Sequence, residues 1–290
     1  MEKFKVLLLL FMFHFSSYAL IFDKDSRLEF FEMPSDIKDL SRSSVALVPK
    51  SNLLKLANGD FKIEAPNINQ YVDNICDDTK FKDQKVVVNC SGALIKDDVI
   101  LTAAHCAKKN PEKFEYYIVF DYKNDDLFQT HHIIKKENVF EIEKELFYEF
   151  DLLGSIDLAL YRLKRKSKRK PMNLNLSPLK VGDMVSILGY PFGIPLKWTD
   201  FEPIKEVEQE KYSFKHELDI FSVNSGSPTL NQSNEIVGVL VRGSGFNFKV
   251  HEGENCRDWH RSINEKDFSE SNDLSPLKKT LDQLGIQYIN

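Results

Sequence analysis

Several kinds of site are missing from this chain of 290 residues. It has no CxxC motif and no cluster of cysteine and histidine at metal-ligand spacing, which argues against a structural zinc site. Its 39 Lys and Arg residues stand against 44 Asp and Glu residues, and the formal net charge of −5 gives the chain as a whole no attraction for nucleic acid. We therefore predict neither a metal site nor a nucleic-acid partner. The chain also has no internal repeat and no appended second module.

The N-terminus carries an apolar run that is shorter than a membrane-spanning helix requires. Lys3 and Lys5 precede the apolar residues 6–13, and Ser17-Tyr18-Ala19 resembles a signal-peptidase site. We predict that residues 1–19 are a signal peptide cleaved after Ala19. The mature protein is then exported, secreted or periplasmic, without a stable membrane anchor.

The cysteines are few and even in number. All four, Cys76, Cys90, Cys106 and Cys256, remain after the predicted cleavage. Because disulfides persist outside the cytoplasm, we expect two of them, and the residues alone leave three pairings open.

Short segments rich in β-branched and aromatic residues predict an all-β fold. They are followed by leucines at helical spacing between Leu274 and Leu284, with Gly285 as the expected C-cap.

Residues 20–42 are interpreted as a pro-segment or an N-terminal arm. The basic run Lys164–Lys170 is interpreted as a solvated linker, because nucleic-acid binding is a poor hypothesis for an exported protein. The predicted strands are 43–48, Lys85–Asn89, Ala93–Ile95, Val99–Thr102, Tyr116–Tyr122, Val139–Ile142, Leu158–Leu163, 181–191, Lys215–Ile220, Thr229–Asn231 and Ile236–Arg242.

Three short motifs supply the groups that acyl transfer to a serine requires, namely a base, a carboxylate that fixes its tautomer, and a nucleophile. His105 follows the apolar run 99–101 in the context Ala-Ala-His-Cys. Asp157 precedes an apolar strand, where an aspartate is costly without a partner, and Asp151 is its rival. Ser225 lies in Asn-Ser-Gly-Ser-Pro, whose small residues permit a tight turn; Ser227 is the neighbouring alternative.

The three motifs, in the order His, Asp, Ser, resemble those of the trypsin-like (chymotrypsin-fold) serine peptidases. The serine motif is most similar to that of bacterial glutamyl-endopeptidase-like members. The resemblance covers roughly residues 76–260. It implies two antiparallel six-stranded β-barrels with a C-terminal α-helix, the first over residues 43–170 with the basic linker, and the second over residues 171–290. It also implies disulfides Cys90–Cys106 and Cys76–Cys256.

The resemblance further implies an activity and a set of site residues. We expect a monomeric serine endopeptidase acting on protein or peptide substrates, without cofactor or metal, in which Ser225 attacks, His105 moves the proton and Asp157 orients His105. The amides of Val223 and Ser225 are expected to hold the oxyanion. A substrate-binding role is expected for Asp219, Val241, Arg242 and Gly243, and the peptide specificity stays open.

Two departures from the wider family bear on activity. Asn224 replaces an aspartate that pairs with a newly released N-terminus in trypsin, so trypsin-style activation is not expected here. Val223 stands where a glycine usually donates an oxyanion-hole amide, and its β-branched side chain resists unusual backbone angles. The alternative hypothesis is therefore a weak or inactive pseudoprotease that binds peptides, and a serine esterase of the same fold is a third.

Overall fold

The computed structural model describes residues 20–22, 24–107, 114–129, 131–151, 155–244, 247–250, 253, 255–262 and 267–290. The predicted signal peptide lies outside the described residues. The helices are α1 (Ser35–Ser41), α2 (Ile68–Tyr71) and α3 (Lys278–Leu284). The strands, in chain order, are β1 (Leu28–Glu29), β2 (Ser44–Pro49), β3 (Leu53–Lys55), β4 (Phe61–Ile63), β5 (Cys90–Lys96), β6 (Val99–Thr102), β7 (Tyr116–Val119), β8 (Ile133–Ile134), β9 (Val139–Phe140), β10 (Ile142–Phe150), β11 (Asp157–Leu163), β12 (Leu174–Asn175), β13 (Met184–Gly189), β14 (Lys197–Pro203), β15 (Glu206–Glu208), β16 (Ser213–His216), β17 (Pro228–Asn231), β18 (Ile236–Gly243), β19 (Phe248–Val250), β20 (Arg257–Trp259), β21 (Ser269–Asp273) and β22 (Tyr288–Ile289).

The first barrel is an antiparallel sheet of seven strands in the order β10-β11-β6-β5-β2-β7-β9. Its inward residues form a continuous apolar core in which nearly every side chain of β2, β5, β6 and β11 is buried. Strands β6 and β11 run antiparallel, with Thr102 opposite Ala159. The end of β6 therefore lies beside the start of β11, which brings the His105 and Asp157 segments together.

The second barrel is built on a sheet of ten strands, and its main path is β1-β14-β13-β17-β18-β21-β16-β15. The segment between β16 and β17, residues 217–227, carries Ser225 and faces the first barrel. The N-terminal residues also belong here, because β1 pairs with β14 and Leu20 forms an isolated bridge with Ile220. Leu20 and β1 are therefore bonded to the second barrel.

Two antiparallel β-barrels with a C-terminal helix were predicted, and this fold is confirmed. The sheets hold seven and ten strands rather than six each, and the short segments β1, β12 and β22 belong to the second sheet. Helix α3 ends at Gly285, whose φ of 60° lies in the left-handed region that favours glycine. Within the described residues, no helix is both long and apolar enough to cross a membrane.

One predicted strand is wrong. Residues 85–89 form no strand, although Val87 and Val88 are buried and β-branched. The amides of both valines donate to the carbonyl of Gly193, in the second barrel. The apolar side chains of these residues therefore reflect their burial where the two barrels meet, and they do not indicate a strand. The strand predicted at Lys215–Ile220 ends earlier, at His216, because the following residues bond to the N-terminal segment.

Candidate active site

The candidate base, His105, lies in a single 3₁₀ turn, Ala104–Cys106, directly after β6. A disulfide joins Cys106, the next residue, to Cys90 at the start of β5, with a Cα–Cα distance of 5.8 Å. Because β5 and β6 are adjacent strands, this disulfide closes the hairpin just where the histidine leaves it. The His105 side chain keeps about a third of its surface exposed, 32%.

The candidate carboxylate, Asp157, binds both the backbone and the ring of His105. Its Oδ1 accepts the His105 backbone N–H at 2.8 Å, and its Oδ2 lies 2.5 Å from Nδ1 of the ring. The Asp157 side chain is buried, so these bonds are shielded from water. A proton on Nδ1 satisfies the carboxylate and leaves Nε2 as the basic nitrogen, which is the tautomer a general base needs.

Asn272 holds Asp157 from the second barrel. Its side-chain oxygen accepts the Asp157 backbone N–H at 2.8 Å, and its Nδ2 donates to the carbonyls of Ser155 and Tyr212, both at 3.1 Å. Asn272 is fully buried in β21, more than a hundred residues along the chain. Sequence reasoning missed this residue, because an asparagine inside a polar strand carries no local signal. The rival carboxylate, Asp151, instead accepts the Ser155 hydroxyl.

The segment with Ser225 is fixed against the first barrel. The Ser225 carbonyl accepts the Ser91 N–H at 2.8 Å, and the Gly226 N–H donates to the carbonyl of Leu240. Gly226 has a φ of 86°, and a Cβ at this position would lie 2.1 Å from the Ser91 carbonyl oxygen. The site therefore requires glycine after the serine. Ser227 uses its hydroxyl to bond the Asn224 carbonyl, so it is less available for attack than Ser225.

Cys106 is the shared neighbour of the base and the serine. Its Sγ lies 3.7 Å from His105 Nε2 and 3.6 Å from the Ser225 carbonyl oxygen. Among the described residues, no hydrogen bond joins the Ser225 hydroxyl to His105. Cys90, His105 and Cys106 cluster closely enough to resemble a metal site. The two sulfurs are bonded to each other, however, so neither offers a thiolate ligand.

Val223 adopts a backbone conformation that β-branched residues rarely take. Its φ is 76°, and such a conformation costs of order 1–3 kcal/mol. The preceding residue is clamped, because the Ser222 N–H donates to Asn247 Oδ1 at 3.0 Å and Asn247 Nδ2 donates to the Ser222 hydroxyl at 2.8 Å. Fixed neighbours hold the valine in its strained conformation.

The backbone amides around Ser225 divide into engaged and free groups. Those of Ser222, Asn224, Gly226 and Ser227 all donate within the protein. Those of Val223 and Ser225 donate to no acceptor within the described part of the chain. Buried or half-buried amides are normally paired, so these two free amides, one of them that of the serine itself, leave donors for a ligand.

The substrate-side residues Val241, Arg242 and Gly243 form the end of β18. On one edge β18 pairs with β21, and Arg242 makes an ion pair with Glu270 at 3.0 Å. On the other edge β17 reaches only as far as Val239, and the Leu240 N–H then bonds the Ser227 carbonyl. Beyond this point, the described residues place no strand on that edge, which starts beside the serine segment.

Asp219 faces the N-terminal segment. Its Oδ1 accepts the Phe22 N–H at 2.8 Å, and its Oδ2 accepts the N–H and the hydroxyl of Ser26, both at 2.7 Å. Asp219 is only 2% exposed, and this burial raises the pKa of its carboxyl to about 6. Ile220, the next residue, packs beside Gly243, since a Cβ on that glycine would meet its Cδ1 at 2.5 Å.

The fold and this arrangement define a class, the two-barrel proteins that carry a serine segment facing a histidine and a carboxylate. Residues 90–239 match the family model described as the trypsin-like peptidase domain, more than half of the chain. The protein belongs to the trypsin-like peptidase domain family. Its structure is also similar to a solved one, described as Glu endopeptidase in complex with MPD, with a TM-score of 0.53. The similarity covers 92% of this chain and 100% of that one at 14% sequence identity, and it bears on the fold alone.

Proposed function

We propose that the protein is an exported serine endopeptidase that cleaves peptide bonds through an acyl-enzyme intermediate. The observation that carries this proposal is the double contact of Asp157 with the backbone and Nδ1 of His105, because it leaves Nε2 as a base beside the serine segment. Family membership supports a serine peptidase with protein or peptide substrates. The chemistry uses no metal or cofactor.

In the proposed reaction, His105 Nε2 takes the proton of the Ser225 hydroxyl as the serine oxygen attacks the scissile carbonyl. The free amides of Val223 and Ser225 donate to the oxyanion that forms. His105 then gives its proton to the leaving amine, and the C–N bond breaks to leave an acyl-serine. A water that loses a proton to His105 hydrolyses this ester and restores the enzyme.

The substrate is proposed to add a strand to β18 at Val241–Gly243, on the edge opposite β21. Asp219 is proposed to anchor the N-terminal segment rather than to select a basic residue, since three donors from Phe22 and Ser26 already occupy its oxygens. Ile220 beside Gly243 makes the neighbouring surface apolar. The prediction is that peptides with arginine or lysine before the scissile bond are not preferred substrates.

Export is supported by the cysteines. All four form disulfides, Cys90–Cys106 and Cys76–Cys256, and the described residues include no free cysteine. Disulfides of this kind persist in oxidising compartments. Together with the signal-peptide pattern of residues 1–19, they favour a secreted or periplasmic protein.

A peptide-binding protein with little or no turnover is the second candidate. It is favoured by the strain at Val223 and by the missing hydrogen bond between Ser225 and His105 among the described residues. The same active-site groups would then hold a peptide in the cleft without cutting it. Reactivity of Ser225 toward an activated acyl or phosphonyl group separates the two candidates.

The test is labelling of the mature protein, starting at Leu20, with a fluorophosphonate probe, followed by mass spectrometry of the modified peptide. We expect covalent modification of Ser225 in the native protein and in Ser227→Ala, the matched control at the neighbouring hydroxyl. Labelling should disappear in Ser225→Ala and become much slower in His105→Ala. A folded, disulfide-bonded native protein that takes up no probe would exclude the peptidase proposal and select the peptide-binding candidate.

A further inference from the structure

The sequence suggests that the basic run Lys164–Lys170 is a solvated linker, and most of its residues are exposed, but the run is also bonded to the first barrel. The Arg165 guanidinium donates to the carbonyls of Glu137 and Val139, both at 2.9 Å. Arg169 binds both oxygens of Asp121, at 3.0 and 2.6 Å. The Ser167 N–H bonds the Asp97 carbonyl at 2.6 Å. The two arginine side chains and the Ser167 amide therefore fix the segment to the first barrel, and its backbone is held in one position.

This fixed segment forms one wall of a cavity of about 1040 Å³. The opposite walls come from the end of α1, the turn after β7 and the strand β8. The volume lies at the upper end of the roughly 300–1,000 Å³ typical of ligand sites. None of the residues proposed for catalysis lines this cavity, so it is separate from the candidate active site.

Cationic side chains dominate the lining, eight against four carboxylates, in a protein whose net charge is negative. The cations are Arg42, Lys123, Lys135, Arg165, Lys166, Lys168, Arg169 and Lys170, and the acids are Asp39, Asp121, Asp125 and Glu137. Lys135 and Lys166 also pair with Asp60 and Asp97, which do not line it. The balance remains positive when these two acids are included.

Three of the cations are available to a ligand. Lys168 and Lys170 are exposed, and their ammonium groups have no hydrogen-bond or ion-pair partner within the described part of the chain. Arg42 meets Asp39 only at 3.7 Å, and both side chains are more than 70% exposed, so this pair is weak. The three are held close together, because the Arg42 carbonyl accepts from Arg169 and the Ser43 hydroxyl donates to the Lys170 carbonyl.

The aromatic rings of the cavity favour one class of anion over another. Lys123 lies over the Phe30 ring at 3.4 Å, and Arg165 lies over the Phe140 ring at 3.5 Å. Single-stranded nucleic acids bind by stacking bases on free aromatic faces, and these faces are already covered. A ligand that offers anionic groups without bases fits the cavity better.

We propose that the cavity formed by the segment Lys164–Lys170 binds a linear polyanion bearing sulfate or phosphate groups, through Arg42, Lys168 and Lys170. Arginine offers a planar fork to such oxyanions, and lysine offers a mobile point charge. The rigid backbone beneath Lys168 and Lys170 lowers the conformational entropy lost on binding, since only the side chains need to be ordered. The site is independent of the proposed peptidase activity.

The test is titration of the folded, disulfide-bonded protein with two probes, a size-defined heparin oligosaccharide and inorganic polyphosphate, by calorimetry at about 50 and 200 mM salt. We expect saturable binding of at least one probe, weakened strongly by salt. The triple variant Arg42→Gln, Lys168→Gln, Lys170→Gln should bind about tenfold more weakly or worse and show a shallower salt dependence. Binding of heparin alone identifies a sulfated glycan as the source, and binding of polyphosphate alone identifies a phosphate polymer.

The matched control is Lys144→Gln, Lys249→Gln, Lys279→Gln, which removes three exposed cations that do not line the cavity. It should bind like the native protein. Equal losses in both triple variants, native-like binding by the cavity variant, or no saturable binding at the lower salt would each overturn the proposal. Tighter binding of single-stranded DNA than of either probe would also overturn it, in favour of a nucleic-acid site. Unchanged unfolding curves and unchanged fluorophosphonate labelling separate these outcomes from misfolding and from failure of the peptidase proposal.

Discussion

The two barrels hold their parts of the candidate active site in different ways. In the first barrel, His105 is fixed by neighbours on adjacent strands, namely the Cys90–Cys106 disulfide and the start of β11. In the second, the Ser225 segment depends on remote contacts, with Ser91 in the first barrel and with the N-terminal residues that bond Asp219. The base is therefore local to its own barrel, whereas the nucleophile is positioned by distant parts of the chain.

This difference predicts two kinds of variant. Changes of the side chains around His105, its disulfide apart, should lower the rate of the chemical step with little effect on the rest of the fold. Changes around the Ser225 segment should alter stability or backbone conformation first, and activity as a consequence.

Asp157→Asn should lower kcat by about four orders of magnitude, because a neutral amide favours the wrong histidine tautomer and cannot stabilise the imidazolium. Steady-state hydrolysis of a peptide or activated ester measures this loss. The matched control is Asp151→Asn, the rival carboxylate of the sequence, which should keep kcat within a few-fold of native. If Asp151→Asn were the inactive variant, the assignment of the carboxylate to Asp157 would be wrong.

The two disulfides should rank in opposite orders for stability and for activity. Cys76–Cys256 spans 180 residues and Cys90–Cys106 spans 16, so replacing each pair by serine should lower the free energy of unfolding by about 5 and about 3 kcal/mol in the chain-entropy account. Only loss of Cys90–Cys106 should lower kcat directly, because Cys106 follows His105. Denaturant unfolding and kcat of the remaining folded protein measure the two rankings. Equal effects on kcat would remove the contrast between the barrels.

Asp219 gives the second barrel a pH dependence opposite in sign to that of His132 in the first barrel, whose pKa burial lowers to about 4. Burial raises the pKa of its carboxyl from 3.8 to about 6, so the folded state binds the proton more tightly than the unfolded chain does. The stability from this group is complete below pH 4 and is lost as the pH rises through about 6, by roughly 3 kcal/mol in all. Denaturant unfolding between pH 4 and pH 8 should show the stability of the native protein falling by this amount relative to Asp219→Asn. The buried His132 and His216, whose pKa values burial lowers to about 4 and about 3, add an opposite pH dependence to both proteins, and the comparison cancels it.

The asparagine at position 219 also changes the bonds to Phe22 and Ser26, which shifts stability by an amount that does not depend on pH. Only the slope of the difference between native protein and variant therefore tests the prediction. Asp78→Asn, an exposed acid of the first barrel, controls for the general effect of removing a charge. A constant difference between native protein and Asp219→Asn across the range would show that the carboxyl is not protonated preferentially in the fold.

The features that could be predicted from the sequence are those determined by residues close together along the chain. Val99–Thr102 is a strand with the predicted bounds, and Gly285 caps the last helix, because apolar spacing and a left-handed cap depend on nearby residues. The contacts that cross the molecule could not be predicted. Asn272 reaches Asp157 across 115 residues, and Asp219 binds residues 193 and 197 positions earlier. Such pairs are created by the packing of the two barrels, and their side chains look like ordinary surface polar residues in the sequence.

Val223 carries the smallest predicted effect, yet it bears most directly on the nucleophile. Val223→Gly should relieve about 1–3 kcal/mol of backbone strain at a φ of 76°, and the greater freedom of glycine in the unfolded chain offsets about 0.5–1 kcal/mol of this gain. We expect a net stabilisation of about 1 kcal/mol and a faster fluorophosphonate labelling of Ser225, since the amide of residue 223 can then align with the oxyanion without strain. Stability and labelling rate are measured on the same preparation.

Asn234→Gly is the matched control for Val223→Gly, because Asn234 also has a positive φ, 61°, and lies in a turn remote from Ser225. It should leave the labelling rate unchanged, and its effect on stability should be smaller, since asparagine tolerates the left-handed region better than valine does. If Val223→Gly changed stability without changing the labelling rate, the strain at this residue would affect the stability of the fold and not the reactivity of Ser225. A slower rate would mean that the valine holds the amide in place, and that rigidity at this position, rather than relaxed geometry, sets the reactivity of the serine.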